Sequence, residues 1–219
     1  MAGRKVFEDN MQDMHERLLK MGLLVEEAIF KSVKSFTEKD IGLAQEVIKN
    51  DSKINRYEVD IEKKCFEMIA TQQPVGTDLR RIGTMLKVVT DLERMGDHAV
   101  SIAKIAVELK KDTYLKPFVK IPQMADTVKE MVHEGLNAYI ILDEDKAVEV
   151  AKKDDKIDRK FRAIFNELMG QMKQNQANIH HASFMLLVLQ HLERIGDYVT
   201  NVCEWIVYLK TGVIVDLNN

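Results

Sequence analysis

Asp91-Leu92-Glu93-Arg94-Met95-Gly96-Asp97 returns one hundred positions later as His191-Leu192-Glu193-Arg194-Ile195-Gly196-Asp197. A second stretch, Asn50-Asp51-Ser52-Lys53-Ile54-Asn55, returns as Lys153-Asp154-Asp155-Lys156-Ile157-Asp158 at an offset of 103. Ala44, Glu46, Val47 and Lys49 recur at that same offset as Ala147, Glu149, Val150 and Lys152. The order is kept in both halves, so the chain is an internal duplication. Outward from these segments, apolar residues recur at helical spacing along almost the whole length. The pattern breaks at Thr37–Asp40, Gln73-Pro74-Val75-Gly76, Tyr114–Pro122, Leu142-Asp143 and Gln174–Asn178. This predicts helices near 12–36, 41–72, 77–111, 122–141, 144–173 and 179–210. Short connections favour antiparallel neighbours. The expected fold is all-α, with two tandem antiparallel three-helix bundles over residues 1–112 and 113–219, joined near 113–121.

Composition agrees and narrows the function. The chain of 219 residues is 46% hydrophobic and 31% charged, with 10 Gly and 3 Pro, too few for a turn-rich β-sandwich or a long disordered segment. Lys+Arg (32) against Asp+Glu (35) leaves a net charge of −3, without the basic excess of a nucleic-acid binder. Cys65 and Cys203 have no metal-type spacing and read as small buried hydrophobes of a reducing compartment. No basic-then-apolar leader opens the chain, and Phe184–Leu189, its longest strongly apolar run, is far shorter than the roughly 20 residues a membrane span needs. A cytoplasmic protein is expected, touching membranes only peripherally through partners.

The repeated acids fall on unusual faces. At 100° per residue, Glu93 and Asp97 share a stripe with Ile82, Leu86, Val89 and Val100. Glu193 and Asp197 likewise share theirs with Ala182, Leu186, Leu189 and Val207, and Asp154 and Asp158 lie among Ala147, Val150, Phe161, Phe165 and Leu168. The face of Asp51 and Asn55 is less clean, because Glu58 and Glu62 also lie on it. Counted from the intervening turns, Asp51 is level with Asp97 and Asn55 with Glu93, and the second half repeats the match. Each bundle should therefore gather acid and amide oxygens from two facing helices. Carboxylates crowded away from water repel, and a hard or borderline cation relieves this with four oxygen-bearing side chains as ligands. Candidate ligands are Asp51, Asn55, Glu93 and Asp97 in one half and Asp154, Asp158, Glu193 and Asp197 in the other. Arg94 and Arg194 stand about 100° round the helix, suited to contacts just outside the ligands. Gly96 and Gly196 suggest close approach of another backbone or of solvent. A purely structural salt-bridge network through Arg94, Arg194, Lys53 and Lys156 is the plainer alternative.

LERMGDHAVSIAK, LERIGDYVTNVCEWIVYLKTG, Gln73–Arg80 and Asn50–Ile61 together resemble the PhoU family of phosphate-transport regulators, over about residues 10 to 215. The resemblance implies two three-helix bundles with metal sites at Asp51, Glu93, Asp97, Asp154, Asp158, Glu193 and Asp197. Asn55 stands where the family motif has Asp. The ion could be divalent or trivalent: Fe, Zn, Mn, Ni, Mg or Ca. The resemblance further implies an adaptor, not an enzyme, between a phosphate ABC transporter and a two-component sensor histidine kinase, restraining the phosphate-starvation response. A homodimer is the expected assembly. Two rivals remain. A di-metal carboxylate enzyme would need paired Glu-x-x-His motifs on two helices, and this chain has only Glu130–His133, without a copy. The other is a metal-free helical scaffold.

Overall fold

The computed structural model describes residues 2–109 and 120–218, with side chains from Arg4 onward. Its helices are α1 (Ala2–Glu38), α2 (Ile41–Gln72), α3 (Thr77–Glu108), α4 (Lys120–Ile141), α5 (Glu144–Ala151), α6 (Asp154–Gln174) and α7 (Ile179–Thr211), with a short 3-10 turn at Gln176–Asn178. The all-α expectation holds. The expected joint near 113–121 and the boundary at 112/113 lie largely outside the described residues.

Two boundaries differ from the sequence reading. Helix α1 begins about ten residues before the expected 12, because Phe7 and Met11 are buried and continue its apolar stripe. The helix expected over 144–173 is interrupted: Lys152 and Lys153 form a turn, and α6 starts afresh at Asp154. Helix α4 contains Pro122 in its first turn, where a missing N–H leaves no intrahelical bond unmade.

The duplication is visible in the joints. Asp40 accepts a hydrogen bond from the Leu43 N–H and Asp143 from the Lys146 N–H, each at 2.9 Å, capping α2 and α5. Just before each cap the chain turns left-handed, at Lys39 (φ 59°) and Leu142 (φ 52°). The Asp40 N–H then reaches Ser35 O and the Asp143 N–H reaches Ala138 O, each at 3.0 Å. Every one of these pairs is separated by 103 positions.

Helices α1, α2 and α3 pack on one another, as do α4, α5, α6 and α7. The halves also meet, through α3 on α7 and α1 on α4, so a single apolar core runs from Phe7 to Ile206. Arg80 at the start of α3 lies over the Tyr208 ring near the end of α7, while His98 meets His191, so α3 and α7 run antiparallel. Both cysteines are free thiols in that core, as expected. Among the described residues no helix is long and apolar enough to cross a membrane.

Candidate functional site

Antiparallel packing of α2 on α3 brings the first acid group together. Asp51 feels the charge of Asp97, and Glu93 feels both Asp97 and Asp51. Partial burial is the larger cause, and with this repulsion it raises the Asp51 and Glu93 carboxyls above their ordinary range. In the second half α6 on α7 does the same. Asp154 is pushed up to about 7 by desolvation, then by Asp197, Asp158 and Glu193. Glu193 and Asp197 are raised too, desolvation again leading. Asp51 thus lies near Asp97, and Asp154 near Asp197, as the residue counts placed them.

The groups are half-buried rather than central. Glu93, Glu193 and Asp197 are of intermediate exposure and Asp97 is exposed. Helix α3 is packed by α2, by α1 and by α7, so its buried arc is wide, and the acids occupy the edge facing α2. The truly buried acid is Asp91, the first residue of the quoted repeat, at 5% exposure. It is raised to about 6 by desolvation, which Arg94 and hydrogen bonds from Asn201 and Trp205 on α7 partly offset. Composition and periodicity gave Asp91 no role; the partner that explains it lies across the seam between halves.

The two arginines behave differently. Arg194 stands 3.5 Å from Asp197 and 4.0 Å from Glu193. Arg94 instead turns to Asp91, at 3.9 Å, and covers the Tyr198 ring. The glycines admit side chains, not backbone or solvent: a Cβ on Gly196 would stand 2.7 Å from Asp154 Oδ1 and 2.9 Å from Ile157, and one on Gly96 3.2 Å from Ile54.

Asn55 donates from its amide to Asp51 at 3.3 Å. This leaves Asn55 Oδ1, Asp51 Oδ1 and, in the second half, Asp154 Oδ1 as buried acceptors without a hydrogen-bond donor. Orphaned acceptors beside like charges could receive a cation, while Arg194 pairs with Glu193 and Asp197 and Arg162 with Asp158 in the second half. Among the described residues no three His, Cys, Asp or Glu side chains are already closed into a ligand shell.

Glu58 was missed as a candidate. Desolvation and the charges of Glu93, Glu62 and Asp97 raise it to about 7, so the first acid group runs further along α2 than the motif. At the offset of 103 its counterparts are Phe161 and, for Glu62, Phe165, which stack at 6.0 Å. The Glu130–His133 spacing resolves into surface pairs: His133 with Glu26 at 2.9 Å, and Glu130 with Lys153 at 2.6 Å. His98 and His191, which no spacing linked, meet across the seam with Nδ1 atoms 2.9 Å apart.

The PhoU domain family matches residues 18–106 and 121–206 of this chain. A phosphate-specific transport system accessory protein PhoU homolog of Clostridium acetobutylicum is 42% identical over 99% of both chains. The crystal structure of PhoU from Pseudomonas aeruginosa superposes with a TM-score of 0.91 at 35% identity, covering 94% of this chain and 100% of that one. The crystal structure of the phosphate transport system regulatory protein PhoU from Streptococcus pneumoniae gives 0.88 at 33% identity, over 96% and 99%.

Proposed function

The chain belongs to the PhoU family, and we propose that it is a cation-binding accessory protein of phosphate transport that restrains the phosphate-starvation response. The observation that carries the cation-binding reading is the set of orphaned buried acceptors at matched positions of the two halves, Asp51 Oδ1 with Asn55 Oδ1 and Asp154 Oδ1. The transport role rests on full-length relatives named for it. In this reading Asp51, Asn55, Glu93 and Asp97 hold one ion, and Asp154, Asp158, Glu193 and Asp197 another. A bound ion supplies positive charge that relieves the mutual repulsion of each group. Each group spans two helices, so occupancy braces α2 to α3 and α6 to α7. The braced molecule offers its surface to the phosphate ABC transporter and to a sensor histidine kinase on the cytoplasmic side, as a dimer and without catalysing a reaction.

The test is elemental analysis of protein purified without chelator. Glu193→Ala with Asp197→Ala should remove about half of the bound metal and leave the helical circular dichroism in place. Undiminished metal in that variant overturns the cation assignment. For the adaptor role, metal-loaded protein should bind the transporter's nucleotide-binding subunit, and chelator-stripped protein should bind at least tenfold more weakly. Equal binding by both forms would separate the transport role from cation occupancy.

A further inference from the structure

Along the seam between the halves, three cations of α3 lie over three rings of α7. Arg80 stands 6.0 Å from the centre of the Tyr208 ring, Lys87 5.7 Å from Trp205 and Arg94 5.7 Å from Tyr198. Positions 80, 87 and 94 are seven apart, so they form one stripe with a rise of about 10 Å from each to the next. The three rings are half-buried, and Lys87 and Arg94 are exposed. Trp205 also meets Tyr208 edge-on at 5.9 Å, and Tyr198 stacks with His98 at 5.7 Å. Beneath them the buried Asp91 accepts hydrogen bonds from Asn201 and Trp205. The bond from Trp205 fixes the polar edge of the indole and leaves the ring under Lys87.

Closing the seam does not require these side chains. At the offset of 100, Arg80 and Lys87 correspond to His180 and Leu187, and Trp205 and Tyr208 to Ile105 and Glu108. Nor are the cations neutralised by nearby acids. Among the described residues neither Arg80 nor Lys87 makes an ion pair, and Arg94 reaches only Asp91, at 3.9 Å. Glu204, next to Trp205 on α7, accepts instead from the Leu217 N–H at 2.8 Å. An exposed cation over a ring is held weakly and keeps N–H donors for a stronger acceptor. Half-buried Trp and Tyr rings bordered by Arg are the side chains in which protein interfaces concentrate their binding energy. The sign of the stripe selects an anionic occupant. Acids at every seventh residue of a helix repeat at the same interval of about 10 Å.

We propose that this stripe is a docking surface for an acidic helix of a protein partner, whose carboxylates meet Arg80, Lys87 and Arg94 while its apolar side chains cover Tyr198, Trp205 and Tyr208. The surface does not depend on whether the acid groups hold cations.

Trp205 is the one tryptophan of the chain, so its fluorescence reports on the stripe directly. The probe is a tryptophan-free helical peptide with leucine on one face and glutamate at every seventh position. Its control carries lysine in place of glutamate. Titrating the full chain with the glutamate peptide should shift Trp205 emission to the blue and saturate, less readily at high salt. The lysine peptide should leave the emission unchanged. Lys87→Met keeps an apolar stem over the ring and should weaken binding about tenfold with the helical circular dichroism in place. Lys87→Glu should prefer the lysine peptide. Lys129→Met, which removes a cation 4.6 Å from the Phe30 ring on the α1–α4 face, should bind the glutamate peptide as the wild type does. Emission indifferent to the glutamate peptide, affinity unchanged in Lys87→Met, or equal weakening by Lys129→Met would overturn the proposal. A blue shift produced by vesicles of anionic phospholipid and not by the peptide would also overturn it and assign the stripe to a membrane. One that appears on concentrating the chain alone would overturn it in favour of a second copy.

Discussion

The first and second acid groups descend from one ancestral arrangement and now differ in nearly every neighbour. On α2, Asn55 replaces an acid and is tied to Asp51, while Glu58 and Glu62 extend the negative face by two further turns. On α6, Asp158 keeps its charge but leans on Arg162 at 3.0 Å, and Phe161 and Phe165 replace the extra glutamates. Arg194 pairs with the second group, whereas Arg94 pairs with Asp91 and reaches the first group only through its charge on Glu93 and Glu58. Helix α2 runs unbroken through its aspartate, whereas Asp154 opens α6, where the helix dipole favours a carboxylate. The first group thus spreads further along α2 and is the more exposed, Asp97 standing in solvent where Asp197 is half-buried. Duplication preserved the helices and the depth of the acids, and let the surroundings diverge.

The sharpest way to probe that contrast is to exchange its central residue. Asn55→Asp adds a carboxylate beside Asp51. It should tighten cation binding in the first half about tenfold, or about 1.4 kcal/mol, while lowering the melting temperature of chelator-treated protein. Asp158→Asn should weaken the second site by a similar factor and stabilise the metal-free form. Isothermal titration with Mn²⁺ and thermal unfolding in EDTA measure the two halves of this expectation. Equal affinities before and after either exchange would show that position 55/158 is outside the ligand set.

A smaller effect is expected from pH. Glu58 in the first half and Asp154 in the second are both raised to about 7 by desolvation and like charges, from 4.5 and 3.8. The fold therefore prefers their protonated forms. Their stabilisation is present at low pH and is lost as pH rises through about 7. His98 and His191 are shifted the other way: burial lowers both, His98 to about 4 with His191 adding to the shift, so the fold prefers neutral rings. That contribution is lost as pH falls below the usual histidine value of 6.5. Metal-free protein should melt highest near pH 6, by a few degrees over pH 8. Asp154→Asn and Glu58→Gln should each flatten the alkaline side, and the larger flattening identifies which half carries more buried charge. Added Mn²⁺ should raise the melting temperature more at pH 8 than at pH 6.

What could be read from residues alone follows from what is local. Helix periodicity, the breaks at Thr37–Asp40 and Leu142-Asp143, and the repeat at Asp91 and His191 are short-range features, and they yielded the all-α duplicated architecture. The depth of the acids was legible because antiparallel helices rise equally per residue. The break before Asp154 was not, since Lys152 and Lys153 are good helix formers; from that turn Lys153 reaches Glu130 and Glu134 on α4. Nor were the burial of Asp91 and the meeting of His98 with His191. Both depend on how α3 lies against α7, and no pattern within either helix reports that angle. Glu58 was visible on the right face but without a counterpart in the second half, so the repeat hid it.

The least disruptive comparison uses the two glycines. A methyl group on Gly96 would meet Ile54 at 3.2 Å, a contact that a slight shift of a flexible side chain absorbs. On Gly196 it would stand 2.9 Å from Ile157 and 2.7 Å from Asp154 Oδ1, so the carboxylate itself must move. Alanine gains about 1 kcal/mol over glycine in a helix interior, and overpacking of this kind costs about 1–3 kcal/mol. Gly96→Ala should therefore be neutral or slightly stabilising in urea. Gly196→Ala should lose about 1 kcal/mol and should also weaken Mn²⁺ at the second site, because the displaced atom is a proposed ligand. Because the contact at Gly196 is the closer one, the response of the second group must exceed that of the first in both stability and affinity. A Gly196→Ala protein with unchanged Mn²⁺ affinity would mean that Asp154 holds its ion through Oδ2, leaving the buried Oδ1 outside the ligand set.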